Sequence, residues 1–396
     1  MNRLRLRPSG NVIRAIAAMC LALALGACAG PDFGAMAGSV ASVGGLLSRP
    51  EPGQAWPIQI FVAHALANES AGDGGVSHSL TTVSVPPGHK IGQIEGPGFG
   101  GRRPDHDFMI AGRRPLSEAE FMDGVATHLS GRVGVDRDVL VYVHGFNTGF
   151  DEARFRLAQV VADGRFGGVP VLFAWPSRAS VFAYEADKES ATAARDRLQT
   201  LLERLGKLSD VGRIHVLAHS MGAWLTMEAL RQASIAGDRT LSGKLGDVML
   251  AAPDIDLNVF LDQMHRVGPA RVTVFAATND KALSLSSLLA GSRRRLGAID
   301  ARDPATAASL RKAGVKVVDV THESRGWIGH GTFADAPSVV AAIGAQLAAS
   351  LGGPQDAQAT IDAGVAPDAG AAPPVVVDAP APVDPANAPV QIAPAN

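Results

Sequence analysis

Ile214-His215-Val216-Leu217-Ala218-His219-Ser220-Met221-Gly222 is the stretch that decides the fold. Ile214 to Ala218 reads as a short, fully buried strand, and Ala223 to Leu230 is a series of strong helix formers. Ser220 falls between the two, so the chain must reverse sharply at that residue. Ala218 and Gly222, two before and two after it, are small enough to let strand and helix approach, although Ala218 stands where glycine is usual. A turn of this kind holds a hydroxyl up for nucleophilic attack; the plainer alternative is a serine that caps the following helix.

Outward from this turn the chain alternates. Apolar runs at Val139 to Val143, Val169 to Ala174, Val248 to Ala252, Val272 to Ala277 and Val315 to Val320 predict further buried strands. Between them, helical patterns cover Glu118 to Leu129, Asp151 to Asp163, Lys188 to Leu205, Met221 to Ala233 and Pro337 to Leu351. Buried strands separated by helices imply an α/β architecture, a mostly parallel sheet covered on both faces. Earlier, Ile58 to His64 and Ser79 to Val85 suggest antiparallel strands at a sheet edge, and Gly92 to Gly112 reads as loop. Chemistry in such sheets gathers at the carboxyl ends of the strands.

A serine hydroxyl needs a base in reach, and the base needs an orienting group. In this topology they follow as serine, acid, histidine. Asp280, beyond the strand Val272 to Ala277, is the favoured acid; Asp254, beyond Val248 to Ala252, is the alternative, although Asp254 and Asp256 could instead cap a helix. Of the 11 histidines, His330 in the loop Gly329-His330-Gly331 is preferred to His322 as base. His219 is expected to point away from the site, and His215 lies within a strand. Val139 to Val143 runs into His144-Gly145-Phe146-Asn147, where the amide of Phe146 can join that of Met221 as an oxyanion-hole donor. His144, upstream of the serine, reads as structural. The segments after Ser220 and between Val248 and Val272 are too short for a cap domain, so the site is expected to be open.

The 396 residues are 46% hydrophobic and 19% charged with a net charge of −2, which supplies a core and lacks the basic surplus of a nucleic-acid binder. Two cysteines exclude a disulfide scaffold or a four-cysteine metal site. Arg3, Arg5, Arg7 and Arg14 precede the apolar run Ile16 to Leu25, the order of an export signal, too short to span a bilayer. Leu25-Gly26-Ala27-Cys28 follows and resembles the bacterial lipoprotein cleavage box. That resemblance implies a signal peptide over residues 1–27, acyl chains on Cys28, and, with Ala29 next, an outer-membrane anchor facing the periplasm. Residues 28–55 read as a flexible tether, 56–351 as the folded domain, and 352–396 as a disordered Ala/Pro/Asp-rich tail.

The motifs together resemble the α/β-hydrolase superfamily. More narrowly, His144-Gly145-Phe146-Asn147, Trp175-Pro176-Ser177, Ala218 to Gly222, Ala252-Pro253-Asp254 and Gly329-His330 resemble an uncharacterised bacterial family within it. The resemblance implies an α/β-hydrolase fold and a serine hydrolase. With the residues above, the expected function is cleavage of a small-molecule or lipid ester or thioester through an acyl-enzyme, at the membrane and without metal or cofactor. A serine peptidase or amidase, or a non-catalytic envelope module on the same fold, remains open. Trp175, Phe182 and Tyr184 either line an acyl pocket or pack as core, and Arg293-Arg294-Arg295 is expected to form a solvated face.

Overall fold

The apolar runs become a twisted sheet whose parallel part is buried on both faces. In the computed structural model, which describes residues 53–67, 75–97, 101–180, 183–267, 270–289, 291–323, 329–349 and 376–377, β1 (Trp56–Ala65), β2 (Val76–Val85) and β3 (Met109–Leu116) form an antiparallel meander. β4 (Val139–Val143), β5 (Val169–Ala174), β6 (Ile214–His219), β7 (Leu245–Ala251), β8 (Arg271–Ala276) and β9 (Val315–Asp319) pair in parallel. The order is β3-β2-β1-β5-β4-β6-β7-β8-β9, with β1 parallel to β5, and Val376–Val377 pairs antiparallel with β9 beyond its edge. The expected signal peptide, Cys28 and nearly all of the tether and tail lie outside the described residues.

Successive side chains of a strand face opposite sides, so each parallel strand feeds two cores. Val139, Val141 and Val143 of β4 and Val171 and Phe173 of β5 pack on one side against α1 (Glu118–Leu129), α3 (Tyr184–Ala193), α4 (Arg195–Lys207), α5 (Met221–Ile235) and α6 (Leu257–Val267). Leu140, Tyr142 and Leu172 pack on the other against α2 (Phe150–Asp163), the short α9 (Thr332–Asp335) and α10 (Pro337–Ala348). Each fully buried Val or Leu contributes about 1.5–3 kcal/mol relative to exposure. α7 (Lys281–Leu289) and α8 (Pro304–Lys312) follow β8. No helix among the described residues is long and apolar enough to cross a membrane.

Three differences from the sequence-based expectations have local causes. The helix expected over Lys188 to Leu205 is two helices, α3 and α4, meeting at Ala194. Just before the junction, the hydroxyls of Ser190 and Thr192 donate to the carbonyls of Ala186 and Lys188, a back-bonding that bends helices. Gly92 to Gly112 is not all loop, because β3 begins at Met109; it is an edge strand whose Arg113, Arg114 and Pro115 are exposed, so apolar alternation is missing. Ala252 has already left the strand, with φ at +44°.

His215 of β6 is wholly buried at the amino-terminal end of the sheet, its Nε2 3.2 Å from Asp138 and its Nδ1 3.1 Å from Asp247. Burial works against its charge, but hydrogen bonds to the two carboxylates outweigh burial and raise its pKa. His215→Leu strips both buried acids of this partner and is expected to cost about 3 kcal/mol in stability, read by chemical denaturation at pH 7.

Candidate active site

Ser220 sits between β6 and α5 with φ +52° and ψ −119°, a conformation that L-residues rarely adopt and that costs on the order of 1–3 kcal/mol. Besides the Ala223 amide of α5, which donates to Ser220 O (3.0 Å), two backbone hydrogen bonds to the end of β7 and the loop after it hold it there. The Ser220 amide donates to Ala251 O (2.9 Å), and the Asp254 amide donates to Ser220 O (3.2 Å). The Ser220 side chain makes no capping bond to α5, so the hydroxyl is not occupied as a helix cap. A Cβ on Gly222 would run into the carbonyl oxygens of Val143 and His144, which shows how closely α5 presses on the end of β4.

His330 and Asp280 meet: His330 Nδ1 lies 2.7 Å from Asp280 Oδ2, with Asp280 fully buried. The other Asp280 oxygen accepts the Leu283 amide (3.0 Å), so the carboxylate is steadied at the amino terminus of α7, where the free amides and helix dipole favour an anion. His322 lies instead beside Arg302, its Nε2 3.3 Å from the guanidinium.

His219 departs from expectation. Its ring does not point away; it packs on the His330 ring (centroids 4.7 Å) and on Phe333, and its Nε2 donates to His330 O (3.1 Å). Because His219 is the residue before Ser220, this contact brings the His330 loop to the rim where the elbow stands. Burial, then the proximity of His330, pushes the His219 pKa well down, so the ring stays a neutral donor.

The loop after β4 closes on the same point. A Cβ on Gly145 would fall 2.6 Å from His219 Nδ1 and 3.1 Å from Ser220 Cβ, so only glycine lets the backbone pass so near. Phe146 follows Gly145 and Met221 follows Ser220, so the two expected donor residues belong to the segments that meet here. His144 anchors this loop: its ring stacks on Trp175 (5.0 Å, 9°), its Nε2 accepts the Trp175 amide (3.2 Å), and its Nδ1 donates to Gly145 O (2.9 Å). Burial pushes its pKa down to about 4.

Asp254 and Arg295 belong to a second cluster. Asp254 Oδ2 accepts the Tyr184 hydroxyl (2.7 Å), its Oδ1 accepts the Ser286 hydroxyl (2.6 Å), and Arg295 Nε lies 3.1 Å from Oδ1. Asp256, by contrast, caps α6 by accepting the amides of Asn258 and Val259. The expected solvated face at Arg293 to Arg295 holds for Arg293 and Arg294, which are exposed, and is corrected at Arg295. Hydrogen bonds of Arg294 O and the Leu296 amide with Leu257 and Ile255 draw the segment against the loop after β7, and Arg295 is buried on Asp254. Tyr184, Met221, Trp224, Val259, Asp254 and Arg295 are among the residues lining a cleft of about 410 Å³ beside the elbow. Trp175 does not line it but is buried in the core on His144, and Phe182 lies outside the described residues. Among its described residues, the β7–β8 connection carries α6 and no separate cap.

The profile of a family described as "Alpha/beta hydrolase of unknown function (DUF900)" matches residues 117–349, more than half of the chain. The chain belongs to this family. A solved structure, described as a candidate cell surface hydrolase from Lactobacillus plantarum WCFS1, is similar at 12% identity and a TM-score of 0.31, over 58% of this chain and 98% of that one. The family match, not that likeness, carries the assignment. No functionally curated protein matches the chain.

In this DUF900 chain, sequence reasoning missed the roles of His219, Ser286 and Arg295. Only His219 carried a usable signal, its place one residue before the turn. The depressed pKa of His144 has a consequence for stability. Unfolded, the imidazole titrates near 6.5; folded, near 4. Its stability contribution is complete above pH 6.5 and is lost as pH falls toward 4, by up to about 3 kcal/mol. His144→Gln, which does not titrate, is therefore expected to lose less stability than the native chain between pH 7 and pH 4.5, measured by urea unfolding.

Proposed function

We propose that this α/β hydrolase is a serine hydrolase that cleaves an ester or thioester through an acyl-enzyme on Ser220. The observation that carries the reading is the 2.7 Å His330–Asp280 pair beside a strained turn whose serine hydroxyl is left uncapped. Ser220 Oγ attacks the acyl carbon while the His330 ring, held through Nδ1 by Asp280, accepts the proton at Nε2 and passes it to the leaving group. The amides of Phe146 and Met221 stabilise the oxyanion, each contributing about 3 kcal/mol to lowering the barrier. Water then attacks the acyl-enzyme with His330 again as base, releasing acid and free serine. The neutral His219 adds no competing positive charge beside the imidazolium.

The test is labelling of the purified protein with a fluorophosphonate probe. Labelling of the native chain and none of Ser220→Ala is expected, and Asp280→Asn should lower kcat/KM on an activated ester by on the order of 10³–10⁴. Loss of Ser220-dependence would turn the reading to a binding module that keeps the fold without the chemistry.

The second part of the proposal places the domain at the bacterial outer membrane, facing the periplasm, through acyl chains on Cys28. The Arg-rich start, the short apolar run and Leu25-Gly26-Ala27-Cys28 support it. Cells fed labelled palmitate should yield labelled protein, and Cys28→Ala should abolish the label; incorporation that survives this change would defeat the assignment.

A further inference from the structure

The cluster around Asp254 touches both halves of the site without belonging to the acid–base pair. Its amide donates to Ser220 O (3.2 Å), one of the two bonds that tie the strained turn to the exit of β7. Its carboxylate accepts the hydroxyls of Tyr184 (2.7 Å) and Ser286 (2.6 Å) and faces Arg295 (3.1 Å). Those hydroxyls also meet each other at 2.9 Å, and an Arg295 Nη2 donates to Ser286 O (3.2 Å). The Tyr184 ring in turn meets the Phe146 ring edge-on, with centroids 5.4 Å apart at 74°. Phe146 is on the loop after β4, opposite the elbow.

We infer that Asp254 is a positioning residue: it braces the Ser220 turn through its backbone and, through the Tyr184 hydroxyl and ring, sets where the Phe146 loop stands relative to Ser220. The inference rests on the proposed Ser220 chemistry and gives the Ala252-Pro253-Asp254 stretch a role distinct from that of Asp280. A carboxylate already holding two hydroxyls and a guanidinium is committed to fixing geometry. The geometry it fixes is the gap between a nucleophile and an oxyanion donor, where a displacement of about 1 Å costs on the order of 100-fold in rate.

Tyr184→Phe separates this from a merely structural role, because it removes a single oxygen and keeps the ring on Phe146. Asp254→Asn is the companion change, keeping shape and removing charge. Both are compared with the native chain for melting temperature, for kcat and KM on p-nitrophenyl acetate, and for the rate of fluorophosphonate capture. The expected result is a fall in kcat and in capture rate of about tenfold or more at nearly constant KM, with Tyr184→Phe melting close to the native chain. In a double-mutant cycle on kcat, Tyr184→Phe and Phe146→Ala should be non-additive, because the second removes the ring through which the first acts. Native kcat and capture rate in a folded Tyr184→Phe, or strict additivity in the cycle, would overturn the inference while leaving the serine-hydrolase reading intact. A native chain that does not react at Ser220 would overturn both.

Discussion

The strained backbone of Ser220 is the constraint on which the rest of the site depends. A residue at φ +52° relaxes unless its surroundings hold it, and here the Ala223 amide of its own helix is joined by a hold from a neighbouring strand. Ala251 and Asp254, flanking the exit from β7, grip the amide and the carbonyl of Ser220. The close approach of α5 to the end of β4 at Gly222 supports the same turn. Neighbouring parallel strands thus divide the work of building it, since β6 presents the serine, β7 braces it, and β4 delivers the loop that faces it.

Charge is distributed around this point by burial. His144 is buried and His219 partly so, and both are driven toward the neutral form, one fixed by Trp175 and Gly145, the other by the carbonyl of His330. His330 alone among these rings faces a carboxylate, and that carboxylate is itself moored to the start of α7. Three histidines within one site are therefore chemically unequal. Two act as rigid hydrogen-bonding parts, and the third pairs with a carboxylate.

The parallel strands and the elbow were legible because their signals are local. β4 and β5 match their apolar runs residue for residue, and the small residues around Ser220 have one simple geometric meaning. The pairing of His330 with Asp280 could be anticipated from chain order, although 50 residues separate the two. What stayed hidden depends on partners distant in sequence. Arg295 reads as surface until the segment is drawn against the loop after β7, and Tyr184 gives no sign of Asp254, 70 residues away. Helices α6 and α7 were unread for a different reason: they are short, and Asp280, which caps α7, resembles a catalytic candidate as much as a helix start.

The outer strand β3 also bears on how the protein keeps its own company. Arg113, Arg114 and Pro115 stand exposed along an outer rim of the sheet that no strand among the described residues pairs with, and an unpaired ladder invites a strand from a second molecule. Two like charges repel their counterparts in an identical copy, and proline lacks the amide that such a union would use. Crowding of many copies on one surface, as a lipid tether would impose, is thereby met with a border that discourages aggregation.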